Sequence, residues 1–379
     1  MTALTSDQVI LAETVRDFAR EHLAPHAVEW DQAKHFPVDV LRKAADLGLG
    51  GVYVAEDSGG SGLTRLDGVV VFEALATGCP SIAGYLSIHN MVAWMVDRYG
   101  DDDQRARWLP GLCSAETLGS YCLTEPGAGS DAAALGTRAV RDGDHYVLTG
   151  TKQFISGAGA SSVYLVMART ADNGASGVSA FLVHRDDPGL SFGANETKMG
   201  WNAQPTRQVL LDGVRVPADR LLGGEGDGFR IAMNGLNGGR LGIAACSLGG
   251  AQAALEASTA YLTDREAFGG PLINAQALRF RLAEMATELE AARSLLWRAA
   301  AALDAGSPEA QRLCAMAKRY ATDAGYDVAD SALQLHGGYG YLTEYGIEKI
   351  VRDLRVHRIL EGTNEIMSLI IARGLTGAA

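Results

Sequence analysis

The sequence predicts an α+β fold, mostly α, in which about a hundred residues of antiparallel β structure interrupt an otherwise helical chain. Three observations carry that prediction. Apolar residues keep a helical period from Ser6 to about Leu112. Between Gly119 and Pro217, short β-branched or aromatic runs alternate with turn signals. From Asp227 onward the helical period returns, in long helices with short connections that suggest a four-helix bundle. The expected domains are an N-terminal all-α domain at 1–116, a β-barrel or sandwich at 117–226, and a C-terminal α-bundle at 227–379.

Within the first domain, Ser6-Asp7 should cap a helix whose stripe includes Val9, Ile10, Val15 and Phe18. A second helix should begin at Phe36-Pro37 and stop at the glycines after Leu47. Asp57 to Gly62 lacks the Gly-Lys-Ser/Thr ending of a phosphate loop and reads as a tight connection. Helices over about Leu66–Gly78 and Ala83–Tyr99 follow, then a short one capped by Asp101. His89 reads as a satisfied core residue. In the middle region, strands are expected at His145–Leu148, Ser162–Ala168, Val178–Val183 and Val209–Leu211, with Asp142-Gly143 as a hairpin turn. The last region should hold helices at about Phe229–Gly235, Leu241–Leu262, Ala275–Ala305 and Pro308–His336, plus two shorter ones either side of Glu361.

Composition narrows the function classes. A net charge of −12 and a pI near 5.2 exclude non-specific binding to nucleic acid or to an anionic membrane. The five cysteines are odd in number and form no C-x-x-C pair, which fits free thiols in a reducing compartment. No apolar run approaches the ~20 residues of a membrane span. Residues Met1 to Asp7 show no secretory or transit pattern. Arg outnumbers Lys by 27 to 6, which with abundant Ala suggests a GC-rich bacterial gene, and the initiating Met1 favours a bacterial cytoplasm. A mitochondrial matrix location would apply to a processed eukaryotic chain.

Chemistry concentrates at a few stretches. Glu361 falls at a break between two amphipathic patterns, after Ile359-Leu360 and before Ile366, Leu369 and Ile370. A carboxylate there loses water, which raises its pKa towards the range useful for a general base. An ion pair with Arg355 or Arg358, or simple capping, is the alternative reading. Thr363 or Asn364 can cap the following helix, with Glu365 in its first turn. Tyr121 to Asp131 offers small residues (Gly127, Gly129) and the hydroxyls of Thr124 and Ser130 to a phosphate or ring edge. Lys152 to Gly157 places an aromatic ring, Phe154, beside Ser156. Gln334 to Tyr341 ends a long helix in glycines, which is a stop signal and also a possible seat for a diphosphate.

Together, in this order, Tyr121 to Asp131, Gln334 to Gly340 and Leu360 to Glu365 resemble the acyl-CoA dehydrogenases, and the likeness runs from about Phe18 to Leu375. Within the family it is nearest to the branch that oxidises isobutyryl-CoA. Phe72 to Gly78, Ser87 to Met91, Gly200 to Arg207, Gly235 to Arg240 and Val351 to His357 carry that likeness.

The resemblance implies a helical, β, helical-bundle flavoenzyme that binds FAD, works as a homotetramer and passes electrons to an electron-transferring flavoprotein. It implies that Glu361 takes the α-proton of the acyl thioester, whose carbonyl is held by the backbone N–H of Glu361 and a flavin ribityl hydroxyl. Tyr121, Leu123, Thr124, Gly129 and Ser130 would line one side of the flavin, and Phe154, Ile155 and Ser156 the other. Arg265, Gln276, Gln334, Leu335, His336, Gly337 and Gly338 would hold the pyrophosphate and adenosine from a neighbouring subunit. Thr363, Asn364 and Glu365 would meet FAD at the start of the last helix. Ser130, Asn237, Gly238, Gly239 and Arg240 would lie along the acyl-CoA channel, with Arg373 at the CoA end.

Departures from the pattern refine it. Many relatives carry Trp at Phe154 and Asn at Gly157. The branch acting on isovaleryl-CoA places its base where this chain has Gly239, so the base here should be Glu361. The implied substrate is isobutyryl-CoA, with 2-methylbutyryl-CoA or butyryl-CoA as alternatives. An oxygen-reactive oxidase, or a non-catalytic flavin or thioester binder on the same scaffold, is more distant.

Overall fold

The computed structural model describes residues 4–377. Residues 1–3 and 378–379, which the first and last expected domains and the reading of the N-terminus include, lie outside the described residues. Six helices come first: α1 (Ser6–His22), α2 (Ala27–Ala33), α3 (Val38–Asp46), α4 (Arg65–Ala76), α5 (Pro80–Tyr99) and α6 (Asp102–Cys113). Capping boxes start three of them, Thr5 with Gln8, Thr64 with Asp67 and Asp101 with Gln104. The cap of α1 is thus Thr5 rather than Ser6-Asp7. The sequence reading also passed over α2, a short helix whose Trp30 and Asp31 are buried. Helix α4 is apolar on nearly every side and correspondingly buried, so it forms the centre on which its neighbours stack.

The middle segment folds into one sheet from β1 (Gly119–Cys122), β2 (Arg138–Asp142), β3 (His145–Ser156), β4 (Val163–Arg169), β5 (Val178–His184), β6 (Leu190–Phe192), β7 (Thr206–Pro217) and β8 (Leu221–Leu222). The order is β6-β7-β3-β2-β4-β5-β8, with β1 beside β4. Asp142 pairs with His145 across the anticipated hairpin. The sheet is mixed rather than wholly antiparallel, because β1 runs parallel to β4. Some forty residues separate the two, enough for a crossover that a tight turn could not make. Pairing of β3 with β7 shifts register between Lys152 and Ile155. Such a bulge bends the strand and re-aims its side chains, here at Gln153 and Phe154.

The chain then enters α7 (Gly228–Asp264), the small hairpin β9 (Glu266–Ala267) and β10 (Gly270–Pro271), α8 (Gln276–Asp304), α9 (Ala310–Leu335), α10 (Ile347–Arg355) and α11 (Asn364–Thr376). One helix of 37 residues replaces the two expected at Phe229–Gly235 and Leu241–Leu262. The intervening glycines are not a stop. A Cβ on Gly235 would lie 2.2 Å from Met95 Cε, so that position serves the close approach of α5 to an unbroken α7. One buried cluster joins α1, α3, α4 and α5 to α7, α8, α9 and α10, and a second joins α5 and α6 to β4 and β5. Helices and sheet therefore share continuous cores, and the seams between them are where the site lies.

All five cysteines are buried and free. Among the described residues no helix is long and apolar enough to cross a membrane, and no group of three His, Cys, Asp or Glu could hold a metal ion.

Candidate active site

Helix α10 ends at Arg355, a 3-10 turn covers Val356–Arg358, and α11 starts at Asn364 with Thr363 as its cap. Between them Glu361 and Gly362 both take positive φ, 54° and 95°. A left-handed glutamate is a strained choice that persists only where surroundings over-determine it. Two buried cations do so. Arg240 Nε donates to the Glu361 carbonyl oxygen at 3.4 Å, and Lys318 Nζ to that of Gly362 at 2.7 Å. Arg240 is also tied to Asn237 Oδ1 at 2.9 Å, and Lys318 to Asn364 Oδ1 at 3.0 Å.

Both carboxylate oxygens of Glu361 are closed off from solvent and neither has a hydrogen-bond partner. Burial pushes the carboxyl up to about 7, against the opposing pull of Lys318 and Arg240. The ion-pair alternative drops out, since Arg358 binds Asp323 at 2.7 Å and Arg355 lies over the Tyr326 ring. The carboxylate rests on α7: a Cβ on Gly239 would stand 2.2 Å from Glu361 Oε2 and 2.9 Å from Met91 Sδ. Glycine at 239 is therefore what admits a base from 361. A second orphan faces the same charges. Tyr121 Oη is buried without a partner, and burial, then the charge of Glu361, drives its pKa upward. Next to Gly238, the Arg65 guanidinium is sandwiched between the Tyr53 and Trp94 rings, 4.1 and 4.3 Å from their centroids. His89 is the core residue the sequence suggested, accepting from Gly119 N–H at Nδ1 and bonded to the Leu112 carbonyl through Nε2.

The loop after β1 is clamped from below. Lys152 Nζ reaches Glu125 at 2.7 Å, and Glu125 accepts the N–H groups of Gly136 and Thr137. Gln153 N–H bonds the Thr124 carbonyl at 2.8 Å, which fixes the loop to the β3 bulge. There Phe154 has φ 59° and stands 64% exposed, a large ring turned out of the core. Gly127 and Gly129 have open space where a Cβ would be. Gly157 does not: at φ 77° a Cβ would meet Tyr85 Cε2 at 2.4 Å, which explains why a larger residue is missing there. Thr124 and Ser156 are half-buried and Ser130 is exposed, so their hydroxyls remain accessible.

At four of the sequence-derived positions the side chain is already engaged within the protein. The side chains of Leu123 and Ile155 belong to the core. His336 is buried, bonded to the Ala332 carbonyl and stacked on Tyr261, and the Asn364 amide is taken up by Lys318, Thr322 and Asp323. Only backbone groups of these four remain for a ligand.

Glu361, Asn237, Gly239, Arg240 and Tyr121 come together, and Thr363 and Glu365 adjoin them along the chain. Arg265, Gln276 and Gln334 to Gly338 do not. Arg265, which caps the end of α7, is 26 residues beyond Gly239, roughly 39 Å at 1.5 Å per residue. It lies over the Tyr339 ring, at the end of the bundle where α8 begins and α9 stops. Arg373, in the last turn of α11, borders a cavity of about 440 Å³ with Arg312 and Ile370.

Sequence reasoning missed Lys318, although a lysine on the Cys314, Ala317, Ala321 stripe of α9 breaks the apolar pattern. It also missed the brace behind the Glu361 turn. Trp201, at φ 56°, donates from its backbone to Asp353 at 2.6 Å and from its indole to His357 Nε2 at 3.1 Å. His357 Nδ1 then bonds Ser247 Oγ at 2.7 Å, and Lys349 pairs with Asp353. Burial, aided by the charge of Lys318, holds His357 neutral, down at about 3.

Three family domains match this chain in order: acyl-CoA dehydrogenase N-terminal domain at residues 5–116, middle domain at 120–214 and C-terminal domain at 226–376. The chain belongs to the acyl-CoA dehydrogenase family. It is an oxidoreductase of that class, acting on the CH–CH bond of an acyl-CoA thioester. The mitochondrial isobutyryl-CoA dehydrogenase of Dictyostelium discoideum is 54% identical over 98% of this chain and 90% of its own length. Its counterpart from Bos taurus is 52% identical over 98% and 89%. A solved glutaryl-CoA dehydrogenase from Mycobacterium smegmatis, in complex with FADH2, is 31% identical, with a TM-score of 0.94 over 99% of this chain and 96% of that one.

Proposed function

We propose that this dehydrogenase oxidises isobutyryl-CoA to methacrylyl-CoA with FAD, and that Glu361 is the base. The single observation that carries the reading is the carboxylate of Glu361, buried, unpartnered and seated on Gly239. Identities of 54% and 52% to isobutyryl-CoA dehydrogenases support the substrate.

The residues present suit a flavin. Phe154 is exposed, the glycine loop is open with Thr124 and Ser130 accessible, and Tyr121 Oη and the Glu361 carboxylate have no protein partner, all of which suit a planar cofactor and its substrate. Bound there, the flavin supplies the two-electron oxidant that accepts the β-hydrogen as hydride. Tyr121, Leu123, Thr124, Gly129 and Ser130 would hold one side, and Phe154, Ile155 and Ser156 the other. Thr363, Asn364 and Glu365 would close it at the start of α11. Leu123, Ile155 and Asn364 would act through their backbones.

A thioester α-C–H is a very weak acid in water, so the site must both strengthen the base and stabilise the developing enolate. Burial strengthens Glu361. Its own backbone N–H, fixed by the left-handed turn, would bond the thioester oxygen as negative charge grows there. The α-proton would end on a Glu361 carboxylate oxygen, and the burial of both oxygens keeps out water that would compete for it. Asn237, Gly238, Gly239 and Arg240 would border the acyl group, Ser130 the thioester side, and Arg373 the CoA end.

Arg265, Gln276 and Gln334 to Gly338 would contact the nucleotide half of a second subunit's FAD, with His336 acting through its backbone, in a homotetramer. Their separation of roughly 39 Å from the base along one helix supports that assignment. The electrons would pass to an electron-transferring flavoprotein in a bacterial cytoplasm.

Anaerobic mixing with isobutyryl-CoA, butyryl-CoA and 2-methylbutyryl-CoA tests the substrate. The flavin absorbance should bleach fastest with isobutyryl-CoA; faster bleaching by either rival would move the substrate and leave the family intact.

A further inference from the structure

Glu361 and Gly362 form a two-residue left-handed turn whose successive carbonyls are each held by a buried cation, Arg240 on the first and Lys318 on the second. Lys318 comes from the middle of α9, has no solvent exposure, and makes its hydrogen bonds to Gly362 O and Asn364 Oδ1. No carboxylate forms an ion pair with it among the described residues. Asp323, on its own helix, instead binds Arg358 and the Asn364 amide. A fully buried ammonium that fastens the base's turn and lacks a counter-ion of its own leaves Glu361 as its electrostatic partner.

We propose that Lys318 is a positioning residue for the Glu361 base: its ammonium fixes the turn that aims the carboxylate and supplies the charge that keeps the carboxylate ionisable inside the protein. The proposal rests on the reading of Glu361 as the base. The charges concerned come from every element packed here. Arg240 projects from α7, Asp323 from α9 and Glu365 from α11, while His357 stays neutral behind the turn. Tyr121 from β1 and Cys246 from α7 face the carboxylate itself and are held protonated by burial. Lys318 and Arg240 are the two cations that oppose the effect of burial on Glu361, Lys318 the more strongly; burial brings the Lys318 ammonium itself down to about 8, so it is charged at the pH where Glu361 ionises and loses that charge above it.

The test titrates the holoenzyme by difference infrared spectroscopy, following the protonated carboxyl band that Glu361→Gln removes. With Lys318→Met the Glu361 midpoint should rise by about one pH unit. Turnover should then fall about fivefold at pH 7 and recover at pH 9 with KM little changed. Lys318→Arg, which keeps a cation, should hold the midpoint near its native place. Lys318→Gln can still donate to both oxygens while lacking the charge, so it carries the same test should the methionine variant fail to fold. A midpoint unmoved in the uncharged variants, or turnover lost equally at pH 7 and pH 9, overturns the proposal. Full turnover in Glu361→Gln would instead remove the catalytic reading beneath it.

Discussion

Glu361 is a carboxylate kept from water without being given a partner, and that arrangement has consequences in both activity and stability. Replacing it with Gln leaves the shape and removes the base, so turnover should fall by about 10²–10⁴-fold while flavin is retained. The activity of the native enzyme should decline on the acid side with an apparent pKa near 7, the value to which burial raises this group. Stability runs the other way. Between its ordinary value of 4.5 and about 7, the folded protein holds a proton on Glu361 that the unfolded chain has lost. Stability therefore falls as pH rises through that window. Glu361→Gln should be more stable than the native enzyme at pH 8, by up to about 3 kcal/mol, and indistinguishable below pH 4.5. Denaturant unfolding at the two pH values measures it; equal stabilities at pH 8 would mean the carboxylate is better solvated than the geometry indicates.

Helix α7 carries the argument at the scale of elements. Its glycines looked like a break because, along a sequence, glycine most often weakens helices; here they are places where other groups come close, which only tertiary packing reveals. Gly239→Ala should displace Glu361 Oε2 and cut turnover sharply with the flavin still bound, read by kcat at saturating substrate. Unchanged turnover would show that the carboxylate acts from elsewhere. The sequence pattern set Glu361 at a break between two amphipathic runs, where the structure also has it, but its reading as a base came from the family likeness. Lys318 was not legible, since a lone lysine on a helix normally reads as a solvated residue. The brace built on Trp201 was quoted as a likeness to one branch of the family, yet its bond to Asp353 spans 152 residues and no local pattern announces it. These residues report packing behind the base rather than contact with an acyl chain. Trp201→Phe leaves His357 Nε2 buried without its donor and should cost about 1–3 kcal/mol of stability, measured by denaturant unfolding.

At the scale of the molecule, the α, β, α order was readable because periodicity switches from 3.6 to 2 and back, and because short connections force neighbouring helices together. What periodicity does not encode is reach. The flavin residues that the family likeness divided between two subunits lie in two groups, one around Glu361 and one at the far end of α7, roughly 39 Å away. On the function proposed above, a complete site would draw on a second copy of the chain. Arg265→Ala should loosen flavin binding, read as faster loss of flavin on dilution, without altering the pH dependence of the flavin that stays bound. Light scattering should show an oligomer that sheds flavin as it dissociates; a flavin-loaded monomer with full activity would contradict the two-subunit site.

Anaerobic stopped-flow mixing of flavin-loaded enzyme with isobutyryl-CoA, followed at the flavin band for native and Glu361→Gln protein between pH 5 and pH 9, tests the central claim most directly. The native flavin should bleach with a rate that rises through an apparent pKa near 7, while the Gln variant binds the thioester and stays oxidised at every pH. Bleaching of Glu361→Gln at the native rate would show that the base is another group.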